Sequence, residues 1–553
     1  MKIHIYQIFT RLFGNKTSLN KFNGSIAENG CGKFNDISTK ALEVIKLLGI
    51  THVWFTGILE HASLTSYEDN NIHSDHPDFV KGKAGSPYAI RDYYDVCPDF
   101  AVKVEHRMTE FEELIQRTHQ TGLKVIIDFV PNHVSRKYKS DVKPIGIKDL
   151  GEDDDNSKVF SAQNNFYYLP DKKLQLPKVQ DSLNPYHEIP AKVTGNDCFN
   201  ASPSVNDWYE TVKLNYGVDY LNERAKYFDP TPDTWIKMTN ILLFWAKKGI
   251  DGFRCDMAEM VPVEFWNYAI ARVKDEYPNI LFIAEVYDPK QYRNFIHEGG
   301  FDLLYDKVGL YDTLRGIIEG NKWANDITNC WQEIDDIKEK MLCFLENHDE
   351  QRIASEFFAS EAWRAIPALI VSCCFEKSSY MQYFAQELGE DAIDAEGFSG
   401  KDGRTTIFDY WGIKKHQKWM NNGAFNDELL TENQKYLRRT YKTILNLALK
   451  NETIQKGLFY DLQWYNQDNN NYNSQFIYSF LRYSKNEIFL FLLNFDNSSQ
   501  SFNLSIPSDA FQLSGLSLES VGSVVFSTSD NNKPVSLMQN FNIDANGVLI
   551  VKF

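Results

Sequence analysis

Short apolar runs alternate with longer amphipathic stretches along most of this chain. Eight of the runs read as strands: Ile3–Phe9, His52–Ile58, Lys124–Val130, Gly252–Asp256, Ile280–Val286, Phe301–Asp306, Met341–Asn347 and Ser379–Gln386. Between them a helical period predicts helices over Ser38–Leu48, Glu110–Thr121 and Pro232–Lys248. The last sets Trp235, Met238, Leu242, Trp245 and Ala246 on one face. Its start is marked by Thr231-Pro232-Asp233, read as a capping residue followed by proline at the first helical position. Strand and helix alternating eight times predict an α/β fold with a closed (β/α)8 TIM barrel. An open doubly wound sheet would want a glycine-rich phosphate loop after its first strand. Neither G-x-G-x-x-G nor G-x-x-x-x-G-K-[ST] occurs, which favours the barrel.

Two segments break the repeat. No barrel element is legible between strand three and the helix at Pro232, and a structureless loop of that length is improbable. Residues 134–231 are therefore expected to form an inserted subdomain, with Glu152-Asp153-Asp154-Asp155 as a solvated loop. After about residue 455 the period changes to two, in "FIYSFLRYS", "EIFLFLLNF", "SFNLSIP" and "GVLIVKF". That predicts a C-terminal antiparallel β-sandwich over 455–553. The barrel is left with residues 1–133 and 232–454.

Composition narrows the partners. A chain of 553 residues exceeds one ordinary core, in keeping with this division. A net charge of −17 argues against nucleic acid and against anionic membrane surfaces. No apolar run is long enough to span a bilayer. The N-terminus alternates like a strand and has no apolar signal-peptide core. The eight cysteines form no C-x-x-C pair, and several lie in apolar runs, as buried reduced thiols do. A cytoplasmic protein is expected.

In a barrel of this kind, active groups sit at the carboxyl ends of the strands. Strand three ends in Asp128, Asn132 and His133; strand four in Arg254 and Asp256; strand five in Glu285; strand seven in Asn347, His348 and Asp349. A lone aspartate after a strand is commonly a helix cap. Several carboxylates, two histidines and an arginine at one rim are harder to dismiss, because unpaired buried charge is expensive. Two facing carboxylates suit glycoside hydrolysis, one ionised and one holding a proton. Arg254, two residues from Asp256 and on the same strand face, is expected to keep Asp256 ionised. Glu285, flanked by Ala284 and Val286, is expected to be farther from a cation and raised by apolar burial.

The stretches "DFVPNH", "GFRCDMAEM", "FIAEV" and "FLENHD" resemble, in order and spacing, the four signature regions of the α-amylase family of glycoside hydrolases. "SPYAIRDYYDVCPDF" and "MQYFAQELGE" resemble that family's segments at strands two and eight. The insert and the β tail match its B and C domains in position. The resemblance implies Asp256 as nucleophile, Glu285 as general acid/base and Asp349 as the second aspartate, which binds sugar hydroxyls. It implies Arg254, His133 and His348 as contacts to the sugar, Tyr88 as the aromatic stacked beneath it, and Asp128 as support below. The implied substrates are α-glucans derived from starch or glycogen, cleaved at α-1,4 bonds with retention through a glycosyl-aspartate. The nearest alternatives are a transglycosylase or an exo-acting α-glucosidase with the same residues. A non-catalytic barrel is disfavoured by the complete acid set. A metal hydrolase using His133, Asp256 and His348 lacks a His-x-His on strand one.

Many family members hold calcium between barrel and insert, and Asn132 matches one ligand position. The common pattern continues strand four with Lys-His, whose histidine backbone joins the calcium shell. Here that place reads Glu259-Met260, which leaves calcium use open. The high aromatic content suits sugar stacking. Trp208, Tyr209, Tyr410 and Trp411 are the loop candidates, although packing within the loops explains each of them as well.

Overall fold

The computed structural model describes residues 2–375, 377–529 and 533–553. Strands β1 (His4–Phe9), β2 (His52–Thr56), β3 (Lys124–Phe129), β4 (Gly252–Cys255), β5 (Leu281–Ala284), β6 (Leu303–Tyr305), β7 (Met341–Phe344) and β8 (Ser379–Tyr383) close a parallel barrel in sequence order. The expected barrel is present. Each strand except β1 stops short of the C-terminal end of its apolar run, because the last residues of the run already belong to the rim. Ile5, Trp54, Ile126, Ile283, Leu342 and Met381 fill the barrel interior. Val53, Phe55, Val125, Ile127, Phe253 and Phe282 face the surrounding helices. Burial on both faces is why the strands read as apolar runs without alternation.

Register decides where the chemistry falls. Cys255 pairs with Ala284 on one side and with Phe129 on the other. The next residues, Asp256 and Glu285, therefore leave the sheet abreast, on strands spaced ~4.8 Å apart.

The helices expected between strands are present. Thr39–Leu47 is capped by the Ser38 hydroxyl. Arg107–Gln120 begins earlier than its apolar stripe indicates. The helix Asp233–Lys247 corrects the expected start, since Pro232 is itself the cap residue, with ψ 140°, and Asp233 is the first helical residue. Thr231 does not cap it. The first turn is held instead by Asp233 and Lys237, 2.8 Å apart one turn along.

The insert is built from two- and three-residue ribbons. One pairs His133–Ser135, continuing out of β3, with Thr211–Lys213, so the insert is rooted on the barrel rim by backbone hydrogen bonds. In the acidic run Glu152, Asp153 and Asp155 are exposed. Asp154 departs from the expected solvated loop: it accepts from the N–H groups of Asn165 and Phe166 at 2.7 and 2.9 Å and anchors a turn.

The C-terminal part contains a six-stranded sheet. Phe459 and Phe480 on one face pack around Phe375 of the barrel. The other face, with Leu481, Leu490, Leu492 and Val551, packs on Phe502 and Phe541 of a two-stranded ribbon. Among the described residues no helix is long and apolar enough to cross a membrane. All eight cysteines are free.

The barrel and the C-terminal sheet are also joined by the fully buried Arg482. It donates to the carbonyls of Phe375 (2.9 Å), Ile454 (2.8 Å) and Gly457 (3.0 Å). Arg482→Met leaves the buried Phe375 and Ile454 carbonyls without their donor, at a cost of about 3 kcal/mol. A fall of several degrees in calorimetric Tm is expected, and an unchanged Tm would refute this role.

Candidate active site

Arg254 is the centre around which the rim is organised. Its side chain rises from β4 into the barrel mouth and is 1% exposed. Nη1 donates to Asp256 Oδ1 at 2.8 Å and lies 3.6 Å from Asp128 Oδ1. Nη2 lies 2.8 Å from Glu285 Oε2, an ion pair off the line of the N–H bond. Nε faces the Tyr305 hydroxyl at 3.2 Å. The rings of Trp54, Tyr88 and Tyr305 surround the guanidinium at 5.2 to 5.6 Å. Planarity and fixed charge let one arginine serve several carboxylates at once.

This geometry corrects one expectation. Glu285 is not remote from the cation, because Arg254 reaches both carboxylates. The two acids differ instead in their other partners. Glu285 Oε2 accepts from Met257 N–H at 2.8 Å, and Oε1 from the Tyr287 hydroxyl at 2.6 Å. Met257 achieves this from a left-handed backbone, φ 42° and ψ 44°, a strained conformation for a residue with a side chain. Asp256 has Arg254 and the open cleft. Against the expectation that Arg254 keeps Asp256 ionised, burial pushes its carboxyl well above the usual carboxylate range, Arg254 pulls it back, and the nearby Glu285 charge raises it again. Asp349 is pushed up to about 7 by burial and by Glu285. A cluster with more acids than cations retains a proton near neutrality, and that proton belongs to the set.

Asp128 lies below, accepting from Trp54 Nε1 and Gly57 N–H, both at 3.1 Å. Burial raises it to about 6. His348 is stacked on Tyr88, with ring centroids 5.2 Å apart. Burial and Arg254 hold it neutral, well below the usual histidine range. The Gln7 amide donates to its Nδ1 at 2.8 Å, so the ring proton sits on Nε2. That nitrogen faces Asp349 Oδ2 at 3.1 Å and the Tyr88 hydroxyl. His133, lowered to about 3 by burial and two lysines, packs on Trp208. Asn132 lies beneath His133, with its amide oxygen turned to the Lys213 ammonium.

A cleft of about 970 Å³ opens above these groups, lined among others by Tyr88, His133, Asp256, Glu285, Tyr287 and Asp349. Arg254, Asp128 and His348 form the layer beneath it. Of the loop aromatics, Trp208, Tyr209 and Trp411 line the cleft. Tyr410 does not: it is fully buried and donates to Asp99 at 2.7 Å.

Sequence reasoning missed Gln7 and Tyr287, and it marked Glu259 only as a departure from the family pattern. Gln7 left a signal, a lone amide inside the apolar first strand. Tyr287 stands two residues beyond Glu285. Glu259, at the departure from the family pattern, accepts from the N–H groups of Tyr287 (3.1 Å) and Asp288 (3.0 Å). It therefore fixes the loop that carries Tyr287 to Glu285. Away from the cleft, Glu60, Asp92 and Asp95 bring carboxylate oxygens within 4.8 Å of one another. Asp92 already accepts from the N–H groups of Tyr94, Asp141 and Val142, and Asp95 from Arg107. Glu60 is pushed up to about 9, so it is protonated at neutral pH.

Residues 7–428 match the family model described as alpha amylase, catalytic domain. The chain is 23% identical over 356 residues to Alpha-amylase 2 of Dictyoglomus thermophilum, covering 63% of this chain and 48% of that protein. It is 22% identical over 472 residues to Alpha-amylase 3 of the same organism, covering 82% of this chain and 78% of that one. It thus spans about half of the first relative and most of the second. The crystal structure of a noncanonic maltogenic alpha-amylase AmyB from Thermotoga neapolitana shares the fold. Its TM-score is 0.62 at 20% identity, over 100% of this chain and 98% of that one.

The raised Asp349 carboxyl has a stability consequence. Between the ordinary value of 3.8 and about 7 the folded chain binds more protons at this group than the unfolded chain. Its contribution is therefore full below pH ~4 and is lost as pH rises to ~7. Asp349→Asn removes this group's share of the dependence. The variant is expected to match the parent in Tm near pH 4 and to exceed it by a few degrees near pH 8. A difference that does not change with pH would refute the assignment.

Proposed function

The chain belongs to the α-amylase family of glycoside hydrolases, and from that premise we propose that it is a retaining enzyme cleaving α-1,4-glucosidic bonds of starch- or glycogen-derived α-glucans. The observation that carries the reading is Asp256 and Glu285 leaving adjacent, in-register strands and sharing one guanidinium. Retaining glycosidases hold nucleophile and acid only ~5–5.5 Å apart, which neighbouring strands supply. An inverting pair leaves room for a water between its carboxyls.

In this reading the sugar at the cut lies over Tyr88, with its hydroxyls facing His133, the His348 Nε2–H and Asp349. Asp256 attacks the anomeric carbon while Glu285 delivers its proton to the departing glycosidic oxygen. A glycosyl ester on Asp256 results. Glu285, now ionised, takes a proton from water as that water displaces Asp256, and the starting state returns. Arg254 stays bound to the Asp256 and Glu285 side chains throughout and offsets the negative charge that moves between them. Met257 N–H and the Tyr287 hydroxyl orient Glu285 through its two oxygens.

The cleft of about 970 Å³ is at the upper end of the ~300–1,000 Å³ of small-ligand sites and suits several sugar units flanked by Trp208 and Trp411. The free cysteines fit a reducing compartment, hence an intracellular oligosaccharide substrate.

Asp256→Asn is expected to lower kcat on maltoheptaose by at least ~10⁴-fold with the fold unchanged. Near-parental turnover would sink the reading. Proton NMR of the first product should show the α-anomer, and a β-anomer would overturn retention. Products longer than the substrate would mark a transglycosylase, and glucose alone an exo-acting enzyme. Tyr287→Phe keeps the ring and removes the bond to Glu285. A loss of ~10-fold in kcat with a displaced pH–rate limb is expected. A change in KM alone would assign Tyr287 to binding.

A further inference from the structure

The family resemblance places a calcium ion between barrel and insert, with Asn132 and a backbone oxygen at the Glu259-Met260 position among its ligands. Those oxygens do converge, but on a side chain of the protein. Lys213 Nζ lies 2.5 Å from Asn132 Oδ1, 2.7 Å from Asp197 Oδ1 and 3.5 Å from the Met260 carbonyl. The Tyr220 ring closes another side at 5.2 Å. Lys213 is 2% exposed, so its stem is buried along with its head.

The position is built, not incidental. Asn132 Nδ2 donates to Gly195 O at 2.8 Å, which turns Oδ1 toward the ammonium. Lys213 stands directly opposite His133 in the ribbon that roots the insert. Gly195 passes so close that a Cβ there would lie 2.3 Å from Thr211 Oγ1 and 2.9 Å from His133 Cβ. The three oxygens come from three segments: the rim after β3, the insert, and the turn after β4. The ammonium donates to Asn132 Oδ1 and to the Met260 carbonyl, and it forms an ion pair with Asp197 Oδ1 that lies off the line of an N–H bond. Calcium takes six to eight oxygens at ~2.3–2.6 Å and cannot occupy the point that Nζ holds. The residues present do not fit the ion.

We propose that Lys213 is the resident cation of the junction between barrel and insert, standing where a divalent metal would otherwise bind, and that this junction requires no calcium. Asn132 is then a ligand to an ammonium. The position of His133 on the cleft wall rests on a cation carried by the chain itself.

The test is calorimetric melting of the full chain in excess EDTA and in excess calcium chloride, independent of any activity. The parent is expected to give the same Tm in both. Lys213→Met keeps the length of the stem and removes the charge, leaving Asn132 without its donor and Asp197 without its ion-pair partner. It is expected to melt several degrees lower in both solutions. Lys213→Ala opens the position, and its Tm is expected to rise with calcium where the parent's does not. A calcium-dependent rise in the parent that disappears in Asn132→Ala would overturn the proposal, as would a Lys213→Met chain melting with the parent. Should the lysine variants not fold, the parent and Asn132→Ala measurements still decide.

Discussion

The site depends on one buried guanidinium. Asp128, Asp256 and Glu285 stand within 3.6 Å of Arg254 at the mouth of a barrel packed with Ile5, Trp54, Ile126 and Met381. Without a fixed cation these carboxylates would repel one another in a poorly solvated place and would each take up a proton. With it they are gathered around one guanidinium, and the rings of Trp54, Tyr88 and Tyr305 keep the cation from water, the Tyr305 hydroxyl also accepting from Nε. A lysine at this position could make the charge but not the fork, since its donors radiate from a point.

This dependence explains why part of the site was legible in the chain and part was not. Asp256, Glu285 and Asp349 stand out because polar residues ending apolar strands violate the pattern that builds the barrel. Arg254 and Asp256 share a strand face, so their pairing follows from the period of two. The contact from Arg254 to Glu285 crosses between strands, and only register reveals it. The expected contrast between the two acids failed for that reason: flanking apolar residues describe a neighbourhood along the chain, whereas the nearest cation stands on the strand next door. Gln7 and Lys213 are alike in this respect. Each is a polar residue between apolar neighbours on a strand, with partners that lie elsewhere in the chain, so the residue is visible and its purpose is not.

The fold was read more fully than its edges. The eight strands stand out as unbroken apolar runs because both their faces are buried, and the three helices read from the chain follow from the apolar stripe each carries. Boundaries drifted where another interaction took over. Pro232 became a cap because the first turn of its helix is secured by Asp233 and Lys237. The insert offered no period at all, since its ribbons are too short to alternate. Its organisation rests on single side chains such as Asp154 bonding to backbone N–H groups.

Lys213 turns a chemical equilibrium into a structural constant. An ion held between domains stabilises them only in proportion to its occupancy, which rises and falls with the free concentration outside. A cation tethered through four methylenes has no free concentration; its local abundance is set by the length of its own stem. The shape of the cleft wall is thereby uncoupled from the mineral content of the surroundings and depends only on whether the chain has folded.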